Sequence, residues 1–87
     1  MEKIDWRKIE VGDLLFIGSN DGYLIVEVLK AEPFTKTHYR WIFGRYLKTT
    51  VNYLRRVPHG FVFLDDFVDV YLLEDGDAEE IIAKYLI

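Results

Sequence analysis

Cations and aromatic side chains are interleaved along a stretch of this 87-residue chain that contains no acid. Residues 33–64 carry six Lys or Arg and no Asp or Glu. Cationic groups neutralise phosphates and flat aromatic rings stack on bases, so the mixture suits single-stranded DNA or RNA. It predicts a non-enzymatic binding module that holds nucleic acid on a basic aromatic surface over residues 34–56. The residues assigned to that surface are Arg40, Arg45, Lys48, Arg55, Arg56, Tyr39, Tyr46 and Tyr53.

The C-terminal part of the chain has the opposite charge. Residues 65–87 carry eight Asp or Glu and one Lys, and the whole chain has a net charge of −4. An acidic surface could bind a basic partner protein, mimic a nucleic acid as an inhibitor, or pair with the basic segment of a second copy. A protein–protein interaction or inhibitor module is therefore the alternative function, and pairing of the two charged parts within one fold is a third possibility. The residues of the acidic surface would be Asp65, Asp66, Asp69, Glu74, Asp75 and Glu79.

Catalysis and metal binding have little support in the residue types. His59 could approach Asp65 across a hairpin and form an acid–base pair, but an exposed turn histidine and a solvated bend explain both residues more simply. The chain has no cysteine, and two isolated histidines cannot make a closed zinc site. The acids of residues 75–79 lack the spacing of a calcium loop and fit a helix N-terminus better. We therefore expect no catalytic residue, no metal and no cofactor.

Turn residues and alternation predict the elements that position the basic aromatic surface. Ser19-Asn20-Asp21-Gly22 is typical of a tight turn, and it predicts a β-hairpin over residues 13–30. In the next strand, over residues 38–47, Tyr39, Trp41 and Phe43 share one face, so Trp41 and Phe43 qualify as core residues. Gly44 within this strand predicts a bulge or a bend.

The rest of the chain is less regular. Residues 45–56 have apolar side chains at helical spacing, but the β-branched Thr49-Thr50-Val51 favours a strand. Two short strands are predicted over residues 61–64 and 68–73, separated at residues 65–67 by either a bulge or one turn of tight helix. A C-terminal helix is predicted over residues 77–87, with Asp77 as its cap and Glu80 in capping-box position.

These elements predict a mainly β fold with a C-terminal α-helix, in which five to six antiparallel strands form a small barrel or a rolled sheet. The order of parts resembles the small barrels of the Src-homology, Tudor and KOW kind. The resemblance rests on Val11-Gly12-Asp13 before the first strand, on Asn20-Asp21-Gly22, and on the broken strand pair at residues 65–67. The chain is expected to form a single domain over residues 1–87, with an N-terminal arm over 1–12, a β-barrel over 13–73 and the helix over 77–87.

Composition bounds the setting of this domain. Half of the residues are apolar (51%) and 16% are aromatic, which excludes a disordered chain. No uncharged apolar run reaches the length needed to span a bilayer, and the charged N-terminus does not resemble a secretory signal. We therefore expect a cytoplasmic protein that does not bind membranes.

Overall fold

The computed structural model describes residues 2–20, 22–33, 38–74 and 80, and in these it contains six β-strands and two 3-10 turns. All of the strand pairs are antiparallel. The first 3-10 turn, Trp6–Lys8, is capped by the carboxylate of Asp5, and the second is Asn52–Leu54. The strands are β1 Glu2–Lys3, β2 Leu14–Ser19, β3 Gly22–Ala31, β4 Tyr39–Thr49, β5 His59–Asp65 and β6 Asp69–Leu72.

The β2–β3 hairpin confirms the clearest prediction from the sequence. Its register runs without a break from Leu14 opposite Glu27 to Ser19 opposite Gly22. Gly22 has a φ of 136°, which a residue with a Cβ rarely adopts, so the glycine of the turn signal is used as expected. The hairpin forms the centre of the sheet, and β4 pairs with the edge of β3 that faces away from β2.

Barrel closure is the part of the predicted fold that is wrong. The strands form one sheet in the order β1-β6-β2-β3-β4-β5, and within the described part of the chain β1 and β5 are its edges. The reason is that the N-terminal arm takes the side of β6 that a closed barrel would offer to β5. Glu2 and Lys3 lie opposite Leu72 and Tyr71, and the Ile4 N–H donates to the Val70 carbonyl at 3.0 Å.

Two other predictions concern the second half of the chain. Residues 45–49 continue β4, so the favoured strand is confirmed there, but residues 52–54 form a 3-10 turn instead. Of the bulge or single tight turn predicted at residues 65–67, the structure has the turn, in which the Val68 N–H donates to the Asp65 carbonyl. Apart from Glu80, the predicted helix over residues 77–87 lies outside the described residues.

The main core lies on the face of β4 opposite to the one that the sequence suggested. Ile42 is buried, and so is Arg40 on the same face, while Trp41 and Tyr39 are exposed on the other. Gly44 belongs to the buried face, where a Cβ would collide with the side chain of Val26 and lie 2.9 Å from a backbone oxygen of β3. Position 44 therefore cannot hold a side chain, because β3 packs too closely against it. The core cluster consists of Trp6, Ile9, Leu15, Ile17, Leu24, Val26, Val28, Ile42, Leu64 and Val70.

Candidate nucleic-acid interface

Five aromatic side chains lie together on the outer surface of β4 and β5. The two strands are in continuous register over this region, with Trp41 opposite Phe63 and Phe43 opposite Phe61. Directly opposed residues of an antiparallel pair project from the same face, so the rings form two adjacent rows. We call this surface, made of Tyr39, Trp41, Phe43, Phe61 and Phe63, the aromatic face.

The rings of the aromatic face support one another and remain open to solvent. The ring centroids of Tyr39 and Phe63 are 5.0 Å apart in a stacked arrangement, and Trp41 meets the same Phe63 edge-on at 5.2 Å. Phe61 and Phe43 are also 5.0 Å apart. Tyr39, Trp41, Phe61 and Phe63 are still 37% to 70% exposed, whereas Phe43 is half-buried. Such contacts fix the rings in place, so a planar ligand meets a preorganised platform.

The sequence places the rings here through alternation and through the residues beneath them. In β5, Phe61 and Phe63 alternate with Val62 and Leu64, which face inward. Tyr46 belongs to the inner side of β4, and its hydroxyl lies 3.4 Å from the Phe61 carbonyl, to which it donates. Partial burial, together with the nearby Tyr53, raises the pKa of Tyr46. Tyr46 therefore supports the aromatic face from below rather than belonging to it.

Cations border the aromatic face at one end. Arg45 follows Phe43 on the outer side of β4, is half exposed, and forms an ion pair of 2.8 Å with Glu27 of β3. Lys30 lies opposite Phe43, and Lys48 lies opposite Ile25 further along the same strands; both are exposed. The aromatic face is therefore bordered by cations, and we call Lys30, Arg45 and Lys48 the charged margin.

A cleft of about 490 Å³ lies beyond this margin, between the end of β4 and the second 3-10 turn. Two cations, Lys48 and Arg55, line it, and none of its described lining residues is acidic. Its size is in the range of ordinary small-ligand sites. We call it the basic cleft, and its lining residues are Tyr46, Leu47, Lys48, Thr49, Thr50, Leu54, Arg55 and Val57.

The residues predicted for nucleic-acid binding are thus divided among several places. Tyr39 belongs to the aromatic face, whereas Tyr53 is exposed on the second 3-10 turn. Arg45, Lys48 and Arg55 belong to the charged margin or the basic cleft, and Arg56 is exposed beside them. Tyr46 is half-buried.

Arg40 is not part of the surface at all. It is only 8% exposed, and its guanidinium donates to the carbonyls of Trp6, Arg7, Ile9 and Glu32. These four bonds go to backbone oxygens, at distances of 2.6 to 3.3 Å. Arg40 therefore fastens the N-terminal arm to β4, and we leave it out of the interface.

Sequence reasoning missed four members of the aromatic face. The alternation of Trp41 and Phe43 is equally typical of core residues, and the short strand predicted over residues 61–64 does not by itself mark Phe61 and Phe63 as site residues. A signal was present, since both strands carry aromatic residues at every second position and each has a glycine at the neighbouring inward position. Gly44 and Gly60 are indeed directly opposed in the structure.

The acidic residues of the alternative interface are largely engaged within the chain. Asp66 accepts a hydrogen bond of 2.8 Å from the Trp6 indole and one of 3.3 Å from Arg7. Asp69 forms an ion pair with Lys3, and the Asp65 carboxylate accepts from a backbone N–H of its own turn. Glu74 is exposed just after β6, and Asp75 and Glu79 lie outside the described residues. The acids of the β5–β6 turn therefore neutralise the N-terminal arm.

These contacts predict a dependence of stability on acid. Hydrogen bonds from Trp6 and Arg7 lower the pKa of Asp66, and the backbone N–H of Arg7 lowers that of Asp5. A carboxyl whose pKa is lower in the folded state stabilises the fold above its unfolded pKa of about 4, and this contribution is lost as the pH falls through the folded value. We expect urea midpoints to decline below about pH 4. The decline should be smaller in Asp66→Asn; an identical pH profile in that variant would contradict the assignment.

The described residues form neither the acid–base pair nor a metal site. His59 and Asp65 occupy opposite ends of β5, roughly 20 Å apart for a strand of this length, so the acid–base pair considered from the sequence is not formed. In the same part of the chain, no group of three His, Asp or Glu side chains is placed to hold a metal ion. Within the described ranges, no helix has the length and apolar character to cross a membrane.

The geometry of the aromatic face and the basic cleft carries the assignment of function, since other proteins offer no guide. Comparison with protein families, with curated proteins and with solved structures finds no match to this chain.

Proposed function

We propose that this protein binds single-stranded nucleic acid, with bases stacked on the aromatic face and phosphates held by the cations at its end. The observation that carries the proposal is a set of five mutually supporting aromatic rings on one sheet face, four of them exposed, next to a cleft that has two cations and no acid among its described lining residues. Small β-rich modules commonly bind nucleic acid on one face of a sheet in this way.

The aromatic rings supply the larger part of the expected affinity. Same-face residues along a strand are spaced by about 6.8 Å, so each row offers successive platforms at a regular interval. Stacking on an aromatic side chain is worth about 1–3 kcal/mol per base and accepts any base. Phe61 is the most exposed ring of the face and should therefore contribute strongly.

The cations supply orientation and salt dependence. Arg45 lies beside His59 at the end of the aromatic rows, and the basic cleft continues in the same direction along β4. At the opposite end, Asp65 lies across from Tyr39. A polyanion is therefore attracted toward the end with Arg45, Lys48 and Arg55 and repelled from the other, which favours one direction of binding.

A single strand fits this surface better than a duplex. Bases in a duplex are stacked on one another and present only their edges, whereas the rings here offer faces and edges for unstacked bases. The aromatic face also lacks the projecting helix that reads a major groove in many duplex-binding proteins, within the part of the chain that the structure describes.

The test is the anisotropy of a fluorescent single-stranded oligonucleotide, measured at about 50 and about 200 mM salt. We expect binding that weakens as salt rises. Phe61→Ala should reduce affinity by about 5- to 100-fold, the equivalent of one lost stacking contact. Lys48→Glu should reduce both affinity and the salt slope. Phe67→Ala is the matched control, because Phe67 is 95% exposed but lies on the β5–β6 turn, away from the aromatic face.

Three results would contradict the proposal. One is no binding at the lower salt; another is binding that does not depend on salt. The third is an equal loss of affinity in Phe61→Ala and Phe67→Ala, since this would mean that any exposed ring serves. The aromatic face would then be better explained as a contact for a partner protein, which is the interaction function that the sequence left open.

A further inference from the structure

The outer edge of β5 is open to another strand. Within the described residues β5 pairs only with β4, through an unbroken register from Tyr39 opposite Asp65 to Arg45 opposite His59. Edge strands of monomeric proteins are usually protected by lysine, proline or a bulge, because unpaired N–H and C=O groups invite pairing with another chain. His59–Asp65 reads His-Gly-Phe-Val-Phe-Leu-Asp and contains none of these. The edge is thus suited to strand addition.

We propose that a second copy of this chain occupies this edge, with the two β5 strands antiparallel about a two-fold axis at Val62. In this register His59 lies opposite the partner's Asp65, and Phe61 lies opposite the partner's Phe63. The arrangement is isologous, since each contact occurs twice, and it therefore closes as a dimer instead of growing into a fibre.

Charge and pattern select this register over its neighbours. Centring the pair on Val62 matches all seven residues of β5 and places an imidazole opposite a carboxylate at both ends. Centring it on Phe63 would set Phe61 against the partner's Asp65, and centring it on Phe61 would leave Asp65 beyond the end of the partner's strand. In the register centred on Val62, by contrast, apolar residues face apolar residues, and the only acid in the strand meets the only histidine.

The proposed dimer also extends the aromatic surface. The sheet becomes continuous through both copies, so the row of Trp41 and Phe63 continues into the partner's Phe61 and the partner's Phe43. Pairing of edge strands gives affinity through main-chain hydrogen bonds, and the adjoining rings add apolar contact. This inference does not depend on nucleic-acid binding, and its test contains no nucleic acid, so either proposal can fail without the other.

The oligomeric state and the register are tested together. Light scattering of the wild-type chain should give twice the monomer mass at micromolar concentration. Because the chain has no cysteine, single Cys variants report contacts without background. Opposed residues of an antiparallel pair have Cα atoms about 4.5–5.5 Å apart, which a disulfide spans. Phe61→Cys mixed with Phe63→Cys should therefore form a disulfide-linked pair under mild oxidation.

Each Cys variant alone is the matched control. In the proposed register two copies of residue 61 are roughly 8 Å apart, one strand spacing across and two residues along, which is too far for a disulfide. Cross-linking of Phe61→Cys alone at the rate of the mixture would overturn the register. A wild-type chain that stays monomeric up to roughly 100 μM would overturn the dimer itself.

Discussion

Replacing Arg40 by methionine should lower the free energy of unfolding by about 3 kcal/mol, a large part of the roughly 5–15 kcal/mol available to a domain. Methionine fills the space of the aliphatic stem but cannot donate, so the carbonyls of Trp6, Arg7, Ile9 and Glu32 lose a donor. The bonds that Arg40 donates to the Trp6 and Ile9 carbonyls are buried, and buried acceptors without a partner are costly. Urea denaturation followed by tryptophan fluorescence measures the loss.

Two variants show whether the loss comes from this network. Arg40→Lys keeps the charge but not the planar fork, so it should recover only part of the stability. Arg45→Met removes the half-exposed ion pair with Glu27 on the same strand and should change stability by no more than about 1 kcal/mol. Equal stability of the Arg40→Met and Arg45→Met variants would show that the buried guanidinium is not a structural anchor.

Arg40 also shows where prediction from the sequence reaches its limit. Alternation in residues 39–44 correctly divides β4 into two faces, but a period of two does not say which face is buried. Large rings favour the core by their area, and an arginine favours the surface. The opposite arrangement forms because carbonyls 31 to 34 residues earlier in the chain surround the guanidinium, and no local pattern announces them.

Barrel closure fails as a prediction for a similar reason. The order of strands and turns is visible in the sequence, and the β2–β3 hairpin follows from its turn residues. The pairing of Glu2 with Leu72 joins the two ends of the described chain, and its two residues carry no strand pattern of their own. Because Glu2 and Leu72 are so far apart in the sequence, their pairing depends on the tertiary fold and not on any local pattern.

The charge segregation, in contrast, is informative once the contacts are known. The described acids of the β5–β6 region pair with the N-terminal arm, through Asp66 with Arg7 and Asp69 with Lys3. The single ion pair of the central basic segment in the described residues is that of Arg45 with Glu27. The cations of residues 45–56 are therefore not covered by the acids of residues 65–74, and this favours a polyanion as their partner.

Replacing Leu64 by alanine should cost about 3 kcal/mol of stability, because it removes the one buried side chain of β5. Leu64 is 0% exposed and belongs to the main core cluster, whereas the other inward residues of the strand, Gly60 and Val62, are half-buried. Deletion of its side chain leaves a cavity and loosens the strand that carries two of the five rings of the aromatic face. Urea denaturation again gives the measurement.

Phe61→Ala on the same strand is the counterpart, and the two variants together separate folding from binding. Phe61 is exposed, so its removal should change stability by no more than about 0.5 kcal/mol. Its effect should instead be on oligonucleotide affinity, while Leu64→Ala should keep most of its affinity at low temperature, where it is still folded. A loss of stability in Phe61→Ala equal to that in Leu64→Ala would contradict this division. The ring would then be a packing element, and its exposure would no longer argue for a ligand.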